Sequence, residues 1–389
     1  MDFSLSAEQE AFRAKVQTTV NSVVDDDMRR AVVSGGVAHD AELSSTLGEA
    51  GLLRDAVPGP DTDPVLVHLL FSELEKAGAP HEGIAVNLLV AGVLRSAGTE
   101  AQCSLVADPL LSGSTNICIG YSEPNAGSDL TRVSTRSWRV DGGWTISGQK
   151  IWTTLAQFSE WMFALTRTVG EEPAEQQTGS RRRAETMFLI PMKTDGVRVD
   201  PIYMMGGERV NSVFLDEVFV TDEWRVGEVN RAWDVMALAL SLERGVLGNS
   251  ELAVALLAAS VQWFAATGDV GARLLEDPVV REAIVVIAVE NQVGSLLGLR
   301  AAVDRQSPSG VAGSQVKVFV SERYVRAARL LQDLCGPAGV LAHTAAHAAG
   351  GGVIDHHVHH SPLTRIAGGT TEINRNNIAE RLLGLPRTR

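Results

Sequence analysis

Cysteine is scarce: Cys103, Cys118 and Cys335 are the only three, far apart and in no pairwise metal or redox spacing. That pattern excludes a disulfide framework and points to a reducing compartment with buried structural thiols. Positive charge is also in short supply. The 34 Lys and Arg against 47 Asp and Glu leave a formal net charge of −13, the wrong sign for a protein that holds nucleic acid by neutralising phosphates. Long apolar runs are missing too. The longest uncharged stretch, 252–268, is shorter than the roughly 20 residues that span a bilayer and is interrupted by Gln262, so it reads as a buried helix and no membrane insertion is expected. The chain opens with Met1, Asp2 and Phe3, without a basic region followed by an apolar run, so no export signal is visible and a cytoplasmic protein is expected.

What is present suits a globular small-molecule enzyme. A length of 389 residues with 45% apolar content supports two or three packed units. Ser6 followed by Gln9 is a capping-box pattern, and Phe12, Val16, Val20 and Val23 then recur at helical spacing. Further helices are expected over 43–50, 64–77 and 84–97, each closed by Gly or Pro. From Ser114 the pattern changes to short runs rich in β-branched and aromatic residues. Asp141-Gly142-Gly143 separates two such runs as a hairpin turn would, with more strands at 161–168, 186–190 and 213–220. Between them, 171–185 is polar, carries Arg181, Arg182 and Arg183, and reads as a solvated surface loop. Apolar helical periodicity returns over 233–266, 278–305 and 314–335. The expected class is α+β, with an N-terminal helical domain (1–112), a middle β domain (113–229) and a C-terminal helical domain (230–389).

Gly120-Tyr121-Ser122-Glu123-Pro124-Asn125-Ala126-Gly127-Ser128-Asp129 follows a strand and forms a tight loop in which backbone N–H groups and a hydroxyl can approach a polar cofactor. The string resembles the T-E-P-x-A-G-S-D signature of acyl-CoA dehydrogenases. Gln149-Lys150-Ile151-Trp152-Thr153-Thr154 and Ile366-Ala367-Gly368-Gly369-Thr370-Thr371-Glu372-Ile373 resemble two later motifs of that family, in the right order along nearly the full chain. The resemblance implies a helical domain, a middle β-barrel or sandwich domain, a C-terminal four-helix bundle, and FAD as cofactor. It places the Tyr121 backbone and Ser122 at the flavin pyrimidine edge, Ser128 near the pyrophosphate, Trp152 over the isoalloxazine and Thr154 at flavin N5. Thr370 and Glu372 fall among the cofactor-binding positions.

Three departures from the family pattern stand out. The family often has Glu immediately before Gly-Thr near the C-terminus, and this chain has Gly368, which keeps the backbone N–H implied to bind the thioester carbonyl. Other members place the carboxylate on a C-terminal-domain helix in a Glu-Arg pair, which matches Glu243-Arg244; Glu243 then becomes the base, with Arg244 and Gly369 on the substrate side. On a helix the neighbours of Glu243 are Ala239, Leu240, Val246 and Leu247, an apolar setting that raises a carboxyl pKa and suits a base for a weakly acidic α-proton. The volume vacated at position 368 would admit an acyl group branched near Cα or carrying rings. Secondly, a stretch implied to reach a neighbouring subunit's FAD keeps Arg273 but lacks the usual Phe. Thirdly, the family's Q-x-x-G-G-x-G segment appears from Gln332 to Gly336 with its first glycine replaced by Cys335.

The implied reaction is FAD-dependent α,β-dehydrogenation of an acyl thioester, carried by coenzyme A or an acyl carrier protein, to the trans-2-enoyl product. Electron-transferring flavoprotein is the implied electron acceptor, and a homotetramer or dimer of dimers the implied assembly. The alternatives are a flavin monooxygenase or oxidase on the same fold, or an inactive partner subunit of a hetero-oligomer. His343, His347, His356, His357, His359 and His360 form no zinc motif with a nearby acidic residue, so no metal is expected and solvated or capping roles are assigned.

Overall fold

Ser6 accepts from the Gln9 N–H at 3.2 Å while the Gln9 amide accepts from the Ser6 N–H at 2.9 Å, a reciprocal cap that starts the first helix. The computed structural model describes residues 3–170, 184–246, 252–304 and 311–387, and within the last turns of the helix ending at 246 the side chains of 241 and 243–246 lie outside the description. The first domain is helical: α1 (Ala7–Val23), α2 (Asp26–Gly35), α3 (Ala41–Glu49), α4 (Leu52–Asp55), α5 (Pro64–Ala77), α6 (Glu82–Ala97), α7 (Glu100–Gln102) and α8 (Asp108–Leu111). Helix α5 has every local signal a helix needs: Asp63 caps the Val65 N–H, Pro64 sits in the first turn, and Gly78 closes it in the left-handed region. Helix α2 has no buried residue and escaped the periodicity reading for that reason.

The middle domain is an eight-stranded sheet in the order β6-β7-β3-β2-β4-β5-β8, with β1 pairing β4. Its strands are β1 (Ile117–Gly120), β2 (Arg136–Val140), β3 (Gly143–Lys150), β4 (Trp161–Val169), β5 (Glu185–Pro191), β6 (Val197–Tyr203), β7 (Arg209–Thr221) and β8 (Arg225–Val226). The expected hairpin joins β2 to β3, Val140 pairing with Gly143. One expectation needs correction. Glu185 is not the end of a solvated loop: it opens β5, is 2% exposed, and accepts from the Trp233 indole N–H at 3.2 Å. Residues 171–183, including the three arginines, lie outside the described residues. Strand β6 went unread because Pro201 interrupts the short alternation of Val197, Arg198, Val199 and Asp200; it is an edge strand paired with β7, where a proline N is tolerated.

The third domain holds α9 (Ala232–Val246), α10 (Val254–Ala266), α11 (Gly268–Glu276), α12 (Pro278–Val303), α13 (Ala312–Cys335), α14 (Val353–His360) and α15 (Thr371–Asn377). The single helix expected over 233–266 is two, ending at Val246 and restarting at Val254. His343 and His347 lie in turns. Helix α12 is long and apolar enough by length and composition to cross a membrane, yet it packs along α13 in the bundle.

Domain boundaries in sequence are not boundaries in packing. Val235, Met236, Ala239 and Leu242 of α9 are buried in the same apolar cluster as α5 and α6 of the first domain, and Leu242 reaches the backbone of α6 at Gly92. The first and middle domains also meet closely. Gly36, at φ +54°, ends α2 where an added Cβ would lie 2.3 Å from Glu208 Cα in the β6–β7 hairpin. Gly36→Ala meets both that clash and a backbone conformation costly to L residues, so it should lower stability by roughly 1–3 kcal/mol in urea unfolding; an unchanged midpoint would show the contact is easily relaxed.

Candidate active site

Strand β1 delivers the chain into the 121–129 loop. The Glu123 and Ala126 backbones exchange two hydrogen bonds, at 2.9 and 3.0 Å, closing a tight turn around Pro124 and Asn125. Asp129 Oδ1 accepts from the Thr131 N–H at 3.1 Å and ends the loop. Tyr121 and Ser122 are half-buried at its start, and Ser128 is exposed near its end.

A buried ion pair holds this loop to the sheet. Lys150 Nζ lies 2.7 Å from Glu123 Oε1, with side chains 0% and 1% exposed. The same ammonium donates to the Leu165 carbonyl at 2.6 Å and to the Tyr121 carbonyl at 3.4 Å. Glu123 accepts in addition from the Ser134 N–H and hydroxyl, both at 2.6 Å, and from the Thr135 N–H at 2.9 Å. Burial alone would push the Glu123 carboxyl up, but Lys150 and the Ser134 and Thr135 donors outweigh it and hold the pKa down at about 2. Sequence reasoning quoted both residues inside their motifs and missed the pair; a carboxylate in one motif and the single charged residue of the other were the available signal.

Two residues past Lys150 the chain turns sharply. Trp152 adopts φ +60° and Leu155 φ +66°, a left-handed conformation that bulky residues rarely take. Thr153 is fixed across the turn, exchanging backbone bonds with Asn211 of β7 at 3.0 and 3.1 Å, and the Asn211 side-chain amide donates to the Thr153 carbonyl at 2.9 Å. The result is a Trp152 side chain 57% exposed on a backbone held in a strained state. Beside it Thr154 is half-buried, and the Thr153 hydroxyl is fully buried without a hydrogen-bond partner among the described residues.

The remaining expected positions form two further groups. Gly368 and Gly369 are exposed at φ +64° and +83°, between the Ala367 carbonyl, which accepts from Lys317 at 2.6 Å, and Thr370, which caps α15. Asn374 donates to the Gly369 and Thr370 carbonyls, both at 3.0 Å. Glu372 is exposed, 3.9 Å from Arg365. At the other end of α13, Gln332 donates to the Gly339 carbonyl at 3.2 Å and Gly336 closes the helix at φ +56°. Leu274 and Leu275 of α11 pack in the same cluster as Leu334 and Ala338, so the exposed Arg273 belongs to that end as well. Glu243 and Arg244 have their backbone in α9, directly after Leu242, and their side chains lie outside the described residues. Of the apolar neighbours expected around position 243, Ala239 is buried and Leu240 packs against the first-domain core.

Family models for the acyl-CoA dehydrogenase N-terminal, middle and C-terminal domains match residues 6–114, 118–218 and 230–383. The chain belongs to the acyl-CoA dehydrogenase family. It is 31% identical to acyl-CoA dehydrogenase FadE34 of Mycobacterium tuberculosis over 92% of its own length, spanning 49%, about half, of that relative. It is 27% identical to acyl-CoA dehydrogenase FadE26 of the same organism, covering 100% of this chain and 99% of the other. Among solved structures it superposes on the Tcur3481-Tcur3483 steroid ACAD with a TM-score of 0.87 and 27% identity, over 100% of both chains. The family is one of FAD-dependent oxidoreductases, and the residues present fit that cofactor: an open aromatic face at Trp152 and an orphaned buried hydroxyl at Thr153 are features a planar, polar ring system would satisfy.

The Glu123 carboxyl makes a pH-dependent contribution whose sign is fixed, while burial pushes the Lys150 pKa down to about 8, so that the cost of its charge changes with pH only in the alkaline range. The unfolded carboxyl takes up its proton near 4.5 and the folded one near 2, so the stabilisation is present above about pH 4.5 and is lost as pH falls towards 2. Glu123→Gln should cost roughly 3–5 kcal/mol at neutral pH by stranding the buried Lys150 charge, and should flatten the stability profile between those two pH values. Chemical denaturation of both proteins from pH 2 to 7 measures this; parallel profiles would refute it.

Proposed function

We propose that this protein is an FAD-dependent acyl-CoA dehydrogenase that desaturates a bulky, ring-bearing acyl-CoA at Cα–Cβ. The observation that carries the reading is Trp152, an aromatic face presented to solvent by a strained turn beside a loop pinned through Glu123 and Lys150. Tyr121, Ser122, Ser128, Trp152 and Thr154 would hold the flavin end of FAD, Thr370 and Glu372 would join them from the C-terminal loop, and Arg273, Gln332 and Gly336 would serve the adenine end, towards a neighbouring subunit. FAD, when bound, supplies the acceptor for the hydride that leaves Cβ.

In this mechanism the Gly368 N–H donates to the thioester carbonyl and so acidifies the α-proton. Glu243 takes that proton. Arg244 and Gly369 line the substrate side. Gly368 carries no side chain, which leaves room for a polycyclic acyl group; the description of the Tcur3481-Tcur3483 relative as a steroid ACAD supports this choice of substrate class over straight chains. Coenzyme A is the proposed carrier, electron-transferring flavoprotein the proposed acceptor, and the cytoplasm the proposed compartment.

Association with further chains is part of the proposal. Val285, Val289 and Val293 of α12 form one stripe at four-residue spacing, exposed by 59, 55 and 37%. Such a stripe is costly in water and suits a subunit interface. A homotetramer or dimer of dimers would cover it. Pairing with a second, different chain is the other reading, favoured by the two names joined in the Tcur3481-Tcur3483 relative and by Cys335 in place of the family's glycine. Native mass measurement of the chain purified alone distinguishes the two.

Anaerobic mixing of the FAD-loaded protein with a panel of thioesters tests the reaction. Steroid-side-chain acyl-CoA should bleach the flavin, and Glu243→Gln should keep FAD while slowing bleaching by about 10²–10⁴-fold. Undiminished bleaching in that variant would remove Glu243 as the base, and bleaching only by straight-chain substrates, or only by acyl carrier protein thioesters, would overturn the substrate class. Trp152→Ala should weaken FAD binding by roughly tenfold through lost stacking, with Trp152→Phe intermediate; equal affinity of all three proteins in a fluorescence titration would place the ring elsewhere.

A further inference from the structure

Helix α14 carries His356, His357, His359 and His360, and two of these meet a carboxylate from a different domain. His356, His360 and Glu208 each present one donor atom, and the three atoms lie within 4.8 Å of one another. The histidines are one helical turn apart and their rings stack, centroids 5.6 Å apart and planes inclined by 20°. His356 Nδ1 lies 3.0 Å from the Gly206 carbonyl. A carbonyl only accepts, so Nδ1 carries the proton and Nε2 keeps its lone pair, the orientation in which protein imidazoles bind metals. Glu208 Oε1 is 2.5 Å from His360 Nδ1, the two side chains being 8% and 18% exposed. One proton shared between those atoms occupies the place a dication would take.

The other histidines of the helix are engaged elsewhere: His357 Nδ1 pairs with the Tyr324 hydroxyl, and His359 Nδ1 faces the Asp355 carbonyl at 3.0 Å. The carboxylate is firmly placed, because the Gly36 backbone closes against Glu208 from the first domain. Glu82, at the start of α6, adds a second acidic group within electrostatic range of both His360 and Glu208. The convergence of three domains on one small acidic and imidazole cluster is not what solvated or capping histidines would show.

We infer that His356, His360 and Glu208 form a binding site for a divalent transition cation of the zinc type, clamping α14 to the β6–β7 hairpin. Two imidazoles and one carboxylate suit zinc, and disfavour magnesium or calcium, which take oxygen donors. Metal–ligand bonds of about 2.0–2.1 Å set donor separations of roughly 3.3–3.5 Å, so the His360–Glu208 pair, now 2.5 Å apart, must open by about 1 Å to admit the ion, while donors that stand as far apart as 4.8 Å draw in. In the sequence no acidic residue stands in a zinc motif with these histidines, Asp355 facing His359 instead; the fold supplies a carboxylate from 152 positions away. This inference stands apart from the proposed dehydrogenation.

The test uses the FAD-loaded protein after chelator treatment, titrated calorimetrically with zinc chloride. One Zn²⁺ per chain should bind, and His356→Gln and Glu208→Gln should each weaken it by about 10–100-fold with flavin content unchanged. Cobalt chloride should give ligand-field absorption to the red of the flavin bands in the wild type and not in the variants. If Glu208→Gln fails to fold, His356→Gln, whose side chain is partly exposed, decides the question. No binding, or equal binding by wild type and His356→Gln, overturns the inference; the latter result would place the metal on other histidines such as His343 and His347.

Discussion

One ammonium group, Lys150 Nζ, ties β3 to two other segments: the Glu123 carboxylate and the Tyr121 carbonyl of the 121–129 loop and the Leu165 carbonyl of β4 all accept from it. A pair so deeply buried is not there for stability, since desolvating both charges consumes most of what their attraction returns. Its effect is geometric. An unpaired charge in that setting would be so costly that the 121–129 loop has essentially one place to be relative to β3, and Trp152 follows Lys150 by two residues. The strained turn at Trp152 and Leu155 persists because both of its sides are fixed, by Lys150 before it and by Asn211 of β7 across it.

The same economy of fixed points joins the helical domains. Helix α9 begins the C-terminal domain in sequence, yet Val235, Met236, Ala239 and Leu242 complete the core of the first domain. Removing that face from water ties α9 to α5 and α6 by the largest available driving force, apolar burial. Position 243 thus follows a residue locked against Gly92 of α6. The third domain cannot shift as a body without opening the first domain's core, so groups placed on α9 inherit the rigidity of two domains.

Legibility in the sequence tracked the range of the interactions responsible. Helix α5 was readable to its end residues because Asp63, Pro64 and Gly78 act locally, and the β2–β3 hairpin was readable because its turn residues are contiguous. The separation of α9 from α10 was legible and was passed over: Gly248, Asn249 and Ser250 between them are residues that end helices, but the apolar stretches on either side were read as one. Strand β6 was hidden by Pro201, which its edge position permits. The flavin-side residues were named from motif order, but the charge pair that holds them and the Glu208–His360 contact join positions far apart in sequence, and only the folded chain brings such partners together.

The position of a catalytic carboxylate poses a choice that these constraints help to decide. At position 368 the backbone sits at φ +64° in an exposed stretch, where any side chain would bear a conformational penalty of about 1–2 kcal/mol and have little packing to hold its rotamer. A base acts well only when its atom is held near the proton it removes. On the proposed assignment, Glu243 meets that demand through α9, whose preceding turn is packed into the first-domain core, while Gly368 retains the one group the loop can offer without a side chain, its N–H. The division leaves the loop free to accommodate a large acyl group and leaves proton transfer to a helix that such a group cannot easily displace.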